Sequence, residues 1–190
     1  VLKLKEVPLK FEFSNVPAGY DPAELNASIS PATIRIAGAA DTVDGIESVN
    51  AGFINLARVQ LGKAETLKIQ LSEGLVNVDD VQEATVTFDT SGYGEPRAIT
   101  VSDIRVVNAP SGVDVKVITE SINNVTLVGE AEELAAISPS DVIAQVDASA
   151  QNITVKGSGQ QQFSAQIIVT GTKTVFATGA YSVLCDITVK

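Results

Sequence analysis

The carboxylate clusters are the residues of this chain best suited to chemistry. Asp79-Asp80 could open a cation site, since hard cations take oxygen ligands. The spacing of an EF-hand loop is absent and no second acidic cluster adjoins the pair, so a solvated turn is expected. Glu130, Glu132 and Glu133 could supply a general acid and base. Their place at the start of an expected helix gives a simpler role, complementing the helix dipole at roughly 0.3–1 kcal/mol each. Asp41 and Asp44 are read the same way in an earlier helix. Gly38 and Gly129 each follow an expected strand and precede a helix, as phosphate-binding glycines do. Neither Gly-x-Gly-x-x-Gly nor Gly-x-x-x-x-Gly-Lys surrounds them, and the acidic residues that follow would repel an anion. A tight strand-to-helix turn is expected at both. Cys185 alternates within a Val/Leu/Ile strand and reads as a packed small residue. Gly157-Ser-Gly-Gln-Gln-Gln162 reads as a flexible hairpin connection rather than a recognition loop. The Asn-x-Ser/Thr triplets at Asn26, Asn124 and Asn152 are given no weight.

Composition narrows the chemistry further. The 190 residues contain no His, no Met, no Trp and one Cys. Without His there is no Ser-His-Asp or Cys-His relay and no imidazole base. One Cys permits neither an internal disulfide nor a zinc site built on thiolates. The net charge is -10 with no basic cluster, which argues against nucleic acid. Val and Ile make up 41 residues while aromatics are few, so the chain leans to strand. No apolar run approaches ~18 residues, so none spans a bilayer as a helix. The sequence starts without Met and is read as a fragment or a processed product, with no signal peptide in the part given.

The elements that must position these residues occur twice. Asn15, Pro17, Gly19 and Asp21 recur as Asn108, Pro110, Gly112 and Asp114, at an offset of 93. Ile34-Arg-Ile-Ala-Gly38 recurs as Val125-Thr-Leu-Val-Gly129, at an offset of 91. A short helical pattern follows each, Ala40, Val43, Ile46 against Ala131, Leu134, Ile137. Ile54-Asn55 then corresponds to Val146-Asp147. Ordered matches at a nearly constant offset indicate two tandem homologous units, 1–92 and 93–190, with the boundary in Asp89–Pro96. Recurrence of the Asn and Pro positions points to shared turn architecture, since a unique active site needs one copy only.

Period-two alternation predicts strands at Ile34–Ile36, Leu67–Leu71, Ala84–Phe88, Val113–Val117, Val125–Leu127, Ile153–Val155 and Val183–Val189. An opening strand is expected before the Asn15–Tyr20 turn, where Pro fixes φ and Gly permits φ > 0. Strand, Gly, helix, strand implies a crossover. The expected fold is therefore mainly β with one short helix per domain, an α+β arrangement of mixed sheets.

In their order these signals resemble the YbbR-like domain family. The residues are Ser30-Pro31-Ala-Thr-Ile-Arg-Ile-Ala-Gly38, the short helix ending Val43-Asp-Gly-Ile46, then Glu47-Ser-Val49 and the strand ending Phe53-Ile-Asn-Leu56. The second half fits with Val125–Gly129, Leu134–Ile137 and Val146-Asp147-Ala-Ser149, but lacks the Pro expected near Ser121–Asn124. The resemblance implies a bacterial protein anchored by an N-terminal transmembrane helix, with several such domains outside the cytoplasmic membrane. Its best-understood members, the CdaR-type regulators, bind a membrane diadenylate cyclase that makes cyclic di-AMP. By that resemblance this chain is a non-catalytic, extracytoplasmic interaction region. It would have a protein partner, no catalytic, metal or cofactor-binding residues, no cofactor, no nucleic acid, and a membrane link only through a segment outside it. A structural spacer or adhesion module without a signalling role is the first alternative. A hydrolase using Asp79/Asp80 or Glu132/Glu133 is the second.

Overall fold

A computed structural model describes residues 2–190, which form two compact units. Unit 1 holds the chain up to Asn15 together with Leu25–Thr90, and unit 2 holds Val16–Glu24 together with Ser91–Lys190. Residues 16–24 thus belong by packing to unit 2, although they precede Leu25 in the chain.

Unit 1 contains β1 (Leu2–Ser14), β2 (Ala27–Ser30), β3 (Thr33–Ala39), α1 (Ala40–Asp44), β4 (Val49–Asn55), β5 (Glu65–Lys68), β6 (Val76–Asn77) and β7 (Glu83–Phe88). They form two sheets, ordered β4-β1-β3-β6 and β2-β7-β5. Strand β1 changes partner midway. Residues 2–8 run antiparallel to β3, and residues 9–14 run parallel to β4. Pro8 sits at the change, the one place in this long strand where a missing N–H disrupts little. Val7, Leu9, Ile34, Ile36, Val49, Ala51 and Ala84 form the core.

Unit 2 contains β8 (Arg97–Val101), β9 (Asp103–Val107), β10 (Val113–Val117), β11 (Ile122–Val128), α2 (Ala131–Ala136), β12 (Val142–Asp147), β13 (Ser158–Val169), β14 (Phe176–Thr178) and β15 (Tyr181–Val189). Its sheets are ordered β10-β15-β13-β12-β9 and β14-β11-β8. The larger core gathers Val101, Val125, Leu127, Leu134, Val142, Phe163 and Ile187 around both sheets.

The two units share most of one pairing plan, but the antiparallel β12·β13 ladder of unit 2 has no counterpart between β4 and β5, so their sheets are joined differently. Antiparallel β1·β3 and parallel β1·β4 correspond to antiparallel β8·β11 and parallel β9·β12, with the single β1 split at Ser102. Pairs β2·β7, β5·β7 and β3·β6 correspond to β10·β15, β13·β15 and β11·β14. The fold is mainly β: the two larger sheets are mixed, the two three-stranded sheets are antiparallel, and the two α-helices among the described residues are short.

Two expectations from the sequence fail. Ile153–Val155 is not a strand. Its polar groups are taken by one side chain: Thr154 N and Oγ1 donate to Gln161 Oε1, and Gln161 Nε2 donates to the Asn152 carbonyl. A ladder partner is therefore unnecessary, while Ile153 and Val155 still pack on the core. Gly157–Gln162 is not a flexible connection either. From Ser158 onward it is β13, in register with β15 from Ser158↔Thr188 to Ala165↔Tyr181. Ladder hydrogen bonds and the inward-facing Phe163, Ala165 and Ile167 hold this polar stretch extended. Leu67–Leu71 is a strand only as far as Lys68.

Candidate interaction surface

The turns that recur in sequence recur in conformation. Asn15 and Asn108 both adopt left-handed backbone, φ 51 and 53, which Asn tolerates better than most residues. Tyr20 N donates to the Pro17 carbonyl at 3.1 Å, and Val113 N to the Pro110 carbonyl at 3.0 Å. Gly19 and Gly112 supply the positive φ that such a turn needs. Asn55 and Asp147 also match: each side chain accepts the backbone N–H two residues on, from Ala57 at 2.9 Å and Ser149 at 3.0 Å. Hydrogen bonds from Ser149 and from Asn108 hold the Asp147 carboxyl below its ordinary pKa.

Gly38 and Gly129 are close-approach glycines. A Cβ on Gly38 would lie 2.9 Å from the Gly74 carbonyl oxygen. One on Gly129 would lie 2.8 Å from Val175 Cα and 2.9 Å from the Thr174 carbonyl oxygen. In each unit the glycine lets the chain entering β6 or β14 cross the start of the helix.

A cation closes each helix at its other end. Lys5 Nζ donates to the carbonyls of Val43 at 3.5 Å and Ile46 at 2.6 Å. Arg97 Nη1 donates to the corresponding carbonyls of Leu134 at 3.1 Å and Ile137 at 2.8 Å. Positive charge there offsets the negative end of the helix dipole and satisfies orphan carbonyls. Sequence reading missed this pair, whose offset of 92 fits the repeat but whose residue types differ. Asp44, read as an early-helix carboxylate, is instead the last residue of α1 and forms an ion pair with Lys3.

The carboxylates singled out for chemistry are bound to their own protein or left apart. Asp79 accepts from Arg35 N and Nε, both at 2.7 Å, and the Arg35 side chain holds its carboxyl below the ordinary range. Asp80 adopts φ 53 and accepts from Gln82. Glu133 bridges to the loop before β14. Its Oε2 accepts from Thr172 Oγ1, from the Lys173 and Thr174 N–H groups at 3.1 Å each, and from Thr174 Oγ1 at 3.0 Å. These donors lower its pKa from 4.5 to about 2. Glu133 is therefore a clamp on a loop and not a cap of its own helix, which the Gly92 carbonyl closes by accepting from Ala131 N at 2.9 Å. Glu130 and Glu132 are exposed. Cys185 is buried in β15, and burial pushes its thiol pKa up.

Two surfaces remain. In unit 2, residues Pro17–Tyr20 line a cleft with Ile167, Val169, Val175 and Phe176, and the Tyr20 ring lies 4.6 Å from that of Phe176 at 37°. The hydroxyls of Tyr20 and Tyr93 are buried and find no hydrogen-bond partner among the described residues, and burial raises both pKa values. In unit 1, large apolar side chains face solvent: Leu2 at 72%, Leu4 at 56%, Phe53 at 61%, Val76 at 56% and Val78 at 41% exposure. Among the described residues no helix is long and apolar enough to cross a membrane.

Residues 7–101 match the family model described as YbbR-like protein. No curated protein matches. The chain is similar to the solution structure of SuR18C from Streptococcus thermophilus, at 20% identity and a TM-score of 0.36, over 46% of this chain and 84% of that one. It is also similar to the crystal structure of a YbbR-like protein from Streptococcus pneumoniae TIGR4, at 17% identity and a TM-score of 0.35, over 100% of this chain and 96% of that one.

Proposed function

We propose, because this chain belongs to the YbbR-like protein family, that it is a non-catalytic extracytoplasmic interaction region of a membrane-anchored bacterial protein. Two tandem YbbR-like domains, residues 1–92 and 93–190, make up the region. Its partner is a membrane diadenylate cyclase, whose synthesis of cyclic di-AMP it regulates by contact. Family membership is the observation that carries this reading. A second copy in residues 93–190 is supported by the repeated pairing plan, the matched Asn15/Asn108 turns and the matched Lys5 and Arg97 helix ends.

Contact can regulate only by favouring one state of the cyclase. A surface that binds the active state tenfold more tightly than the resting state shifts their ratio by about 1.4 kcal/mol, and equal affinity shifts nothing. The task of this chain is therefore to present a shaped surface on a rigid scaffold. Its bonded carboxylates suit that role, since Glu133, Asp79 and Asp147 spend their lone pairs on neighbouring loops and strands.

Two measurements test the reading. Protease added to spheroplasts should digest residues 1–190, and protection equal to that of a cytosolic marker would contradict an extracytoplasmic place. The anchored protein should co-purify with the cyclase from detergent-solubilised membranes only when residues 1–190 are present. Retention without them would move the contact elsewhere and leave this region as a spacer.

A further inference from the structure

We infer that the outer face of β1-β3-β6 in unit 1 is a docking surface for the Pro-x-Gly-Tyr connector of a further YbbR-like unit. The inference rests on the two-copy reading above.

Leu4, Ala37 and Val76 are register partners across β1, β3 and β6, so their side chains share one face of the sheet. Leu2 continues that face along β1, and Val78, just past β6, stays beside β3 through its N–H to the Arg35 carbonyl at 2.9 Å. Four of these five are large apolar residues 41–72% exposed, a contiguous patch of the kind that marks an interaction site.

Unit 2 has the same face, and there it is covered. Val128 corresponds to Ala37, since each precedes the glycine that turns into the helix. Phe176 pairs with Val128 as Val76 pairs with Ala37. Yet Val128 is 7% and Phe176 1% exposed. The cover is the segment 16–24: Tyr20 lies on Phe176, and Pro17 to Gly19 line the cleft beside it. One copy of the face thus shows what occupies it. Among the described residues unit 1 holds no such segment. The corresponding turn of unit 2 lacks the means, because Val113 replaces Tyr20 and leads directly into β10, without the 3-10 turn at Pro22–Glu24. The occupant is therefore a connector with an aromatic residue after Pro-x-Gly, carried by another unit of this family.

The test appends a second copy of residues 15–26 to the N-terminus of the whole chain through a flexible Gly/Ser linker, which places it at millimolar effective concentration. The probe is the thiol of Val76→Cys, labelled by a maleimide against the slow background of buried Cys185. The appended segment should slow labelling by about tenfold, as a face covered about nine-tenths of the time requires. The same segment with its tyrosine replaced by alanine should leave the rate unchanged. Equal rates with and without the intact segment would overturn the proposal. A dimer of the unextended chain in sedimentation, lost in Val76→Asp, would give the face to a second copy and overturn it too. A parallel arm separates this failure from failure of the two-copy reading. Labelling of Val128→Cys should accelerate when Tyr20→Ala is added. If it accelerates while Val76→Cys is never protected, the docking proposal alone falls. If it does not, the equivalence of the two faces falls, and the proposal with it.

Discussion

Replacing Glu133 by Gln removes a charge that one loop depends on, and the structure sets the size of the effect. Four donors from Thr172, Lys173 and Thr174 converge on a single carboxylate oxygen and lower its pKa from 4.5 to about 2. At 1.36 kcal/mol per pKa unit the folded state would gain at most about 3.4 kcal/mol. The side chain is partly exposed, so screening reduces this to about 1–2 kcal/mol. The sign follows from linkage. A carboxyl whose pKa is lower in the folded state stabilises fully above its unfolded value near 4.5, and that stability is lost as pH falls towards 2. All three tyrosines, Tyr20, Tyr93 and Tyr181, belong to unit 2. With no Trp in the chain, tyrosine fluorescence follows this unit selectively through urea unfolding. At pH 7, Glu133→Gln should unfold more easily by about 1–2 kcal/mol. The gap from wild type should close as pH is lowered from 4.5 towards 2.5. Equal stabilities at pH 7, or a gap that persists at pH 2.5, would refute the argument that these hydrogen bonds require the ionised form.

Other substitutions test the packing. Gly129→Val places a branched side chain where even a Cβ meets Val175 and Thr174 within 3 Å, and should abolish the cooperative tyrosine transition. Leu134→Asp buries a charge in the core of unit 2 and should do the same, whereas exposed Glu132→Ala should melt as wild type does. Arg97→Ala leaves the Leu134 and Ile137 carbonyls without their charged donor. It should cost about 1–2 kcal/mol by urea denaturation, with Arg97→Lys recovering part of the loss as Lys5 does in unit 1. Asn108→Gly keeps φ 53 but loses the hydrogen bond to Asp147 and should cost under about 1 kcal/mol, while Asn108→Val loses both and should cost about 1–2 kcal/mol more.

Features of this fold that rest on local chemistry are readable in the sequence. The Asn-x-Pro-x-Gly turns and the two strand-to-helix glycines leave signatures within a few residues, and these recur between the two halves of the chain. Alternation finds β3, β7, β10 and β15, because one face of each turns inward, buried in β3, β7 and β15 and half-buried in β10. Features that rest on distant partners are not readable. The Gln-rich start of β13 looks like a loop because the ladder to β15 that holds it lies some twenty residues or more along the chain. Ile153–Val155 alternates like a strand, but a glutamine side chain takes the place of a neighbouring strand. The bonds of Glu133, Lys5 and Arg97 each reach about 40 residues along the chain and follow no local spacing. The apolar face of unit 1 escapes for a related reason. Leu4, Ala37 and Val76 are ordinary strand residues one by one, and only the register places them side by side.

If this region regulates a diadenylate cyclase by contact, its removal changes the amount of the cyclase's product. The full-length protein would be co-expressed with the diadenylate cyclase of the same organism, with and without residues 1–190, and cellular cyclic di-AMP measured after both proteins are confirmed in the membrane. The cyclic di-AMP level should change when residues 1–190 are removed. The same level in both strains would contradict regulation by contact.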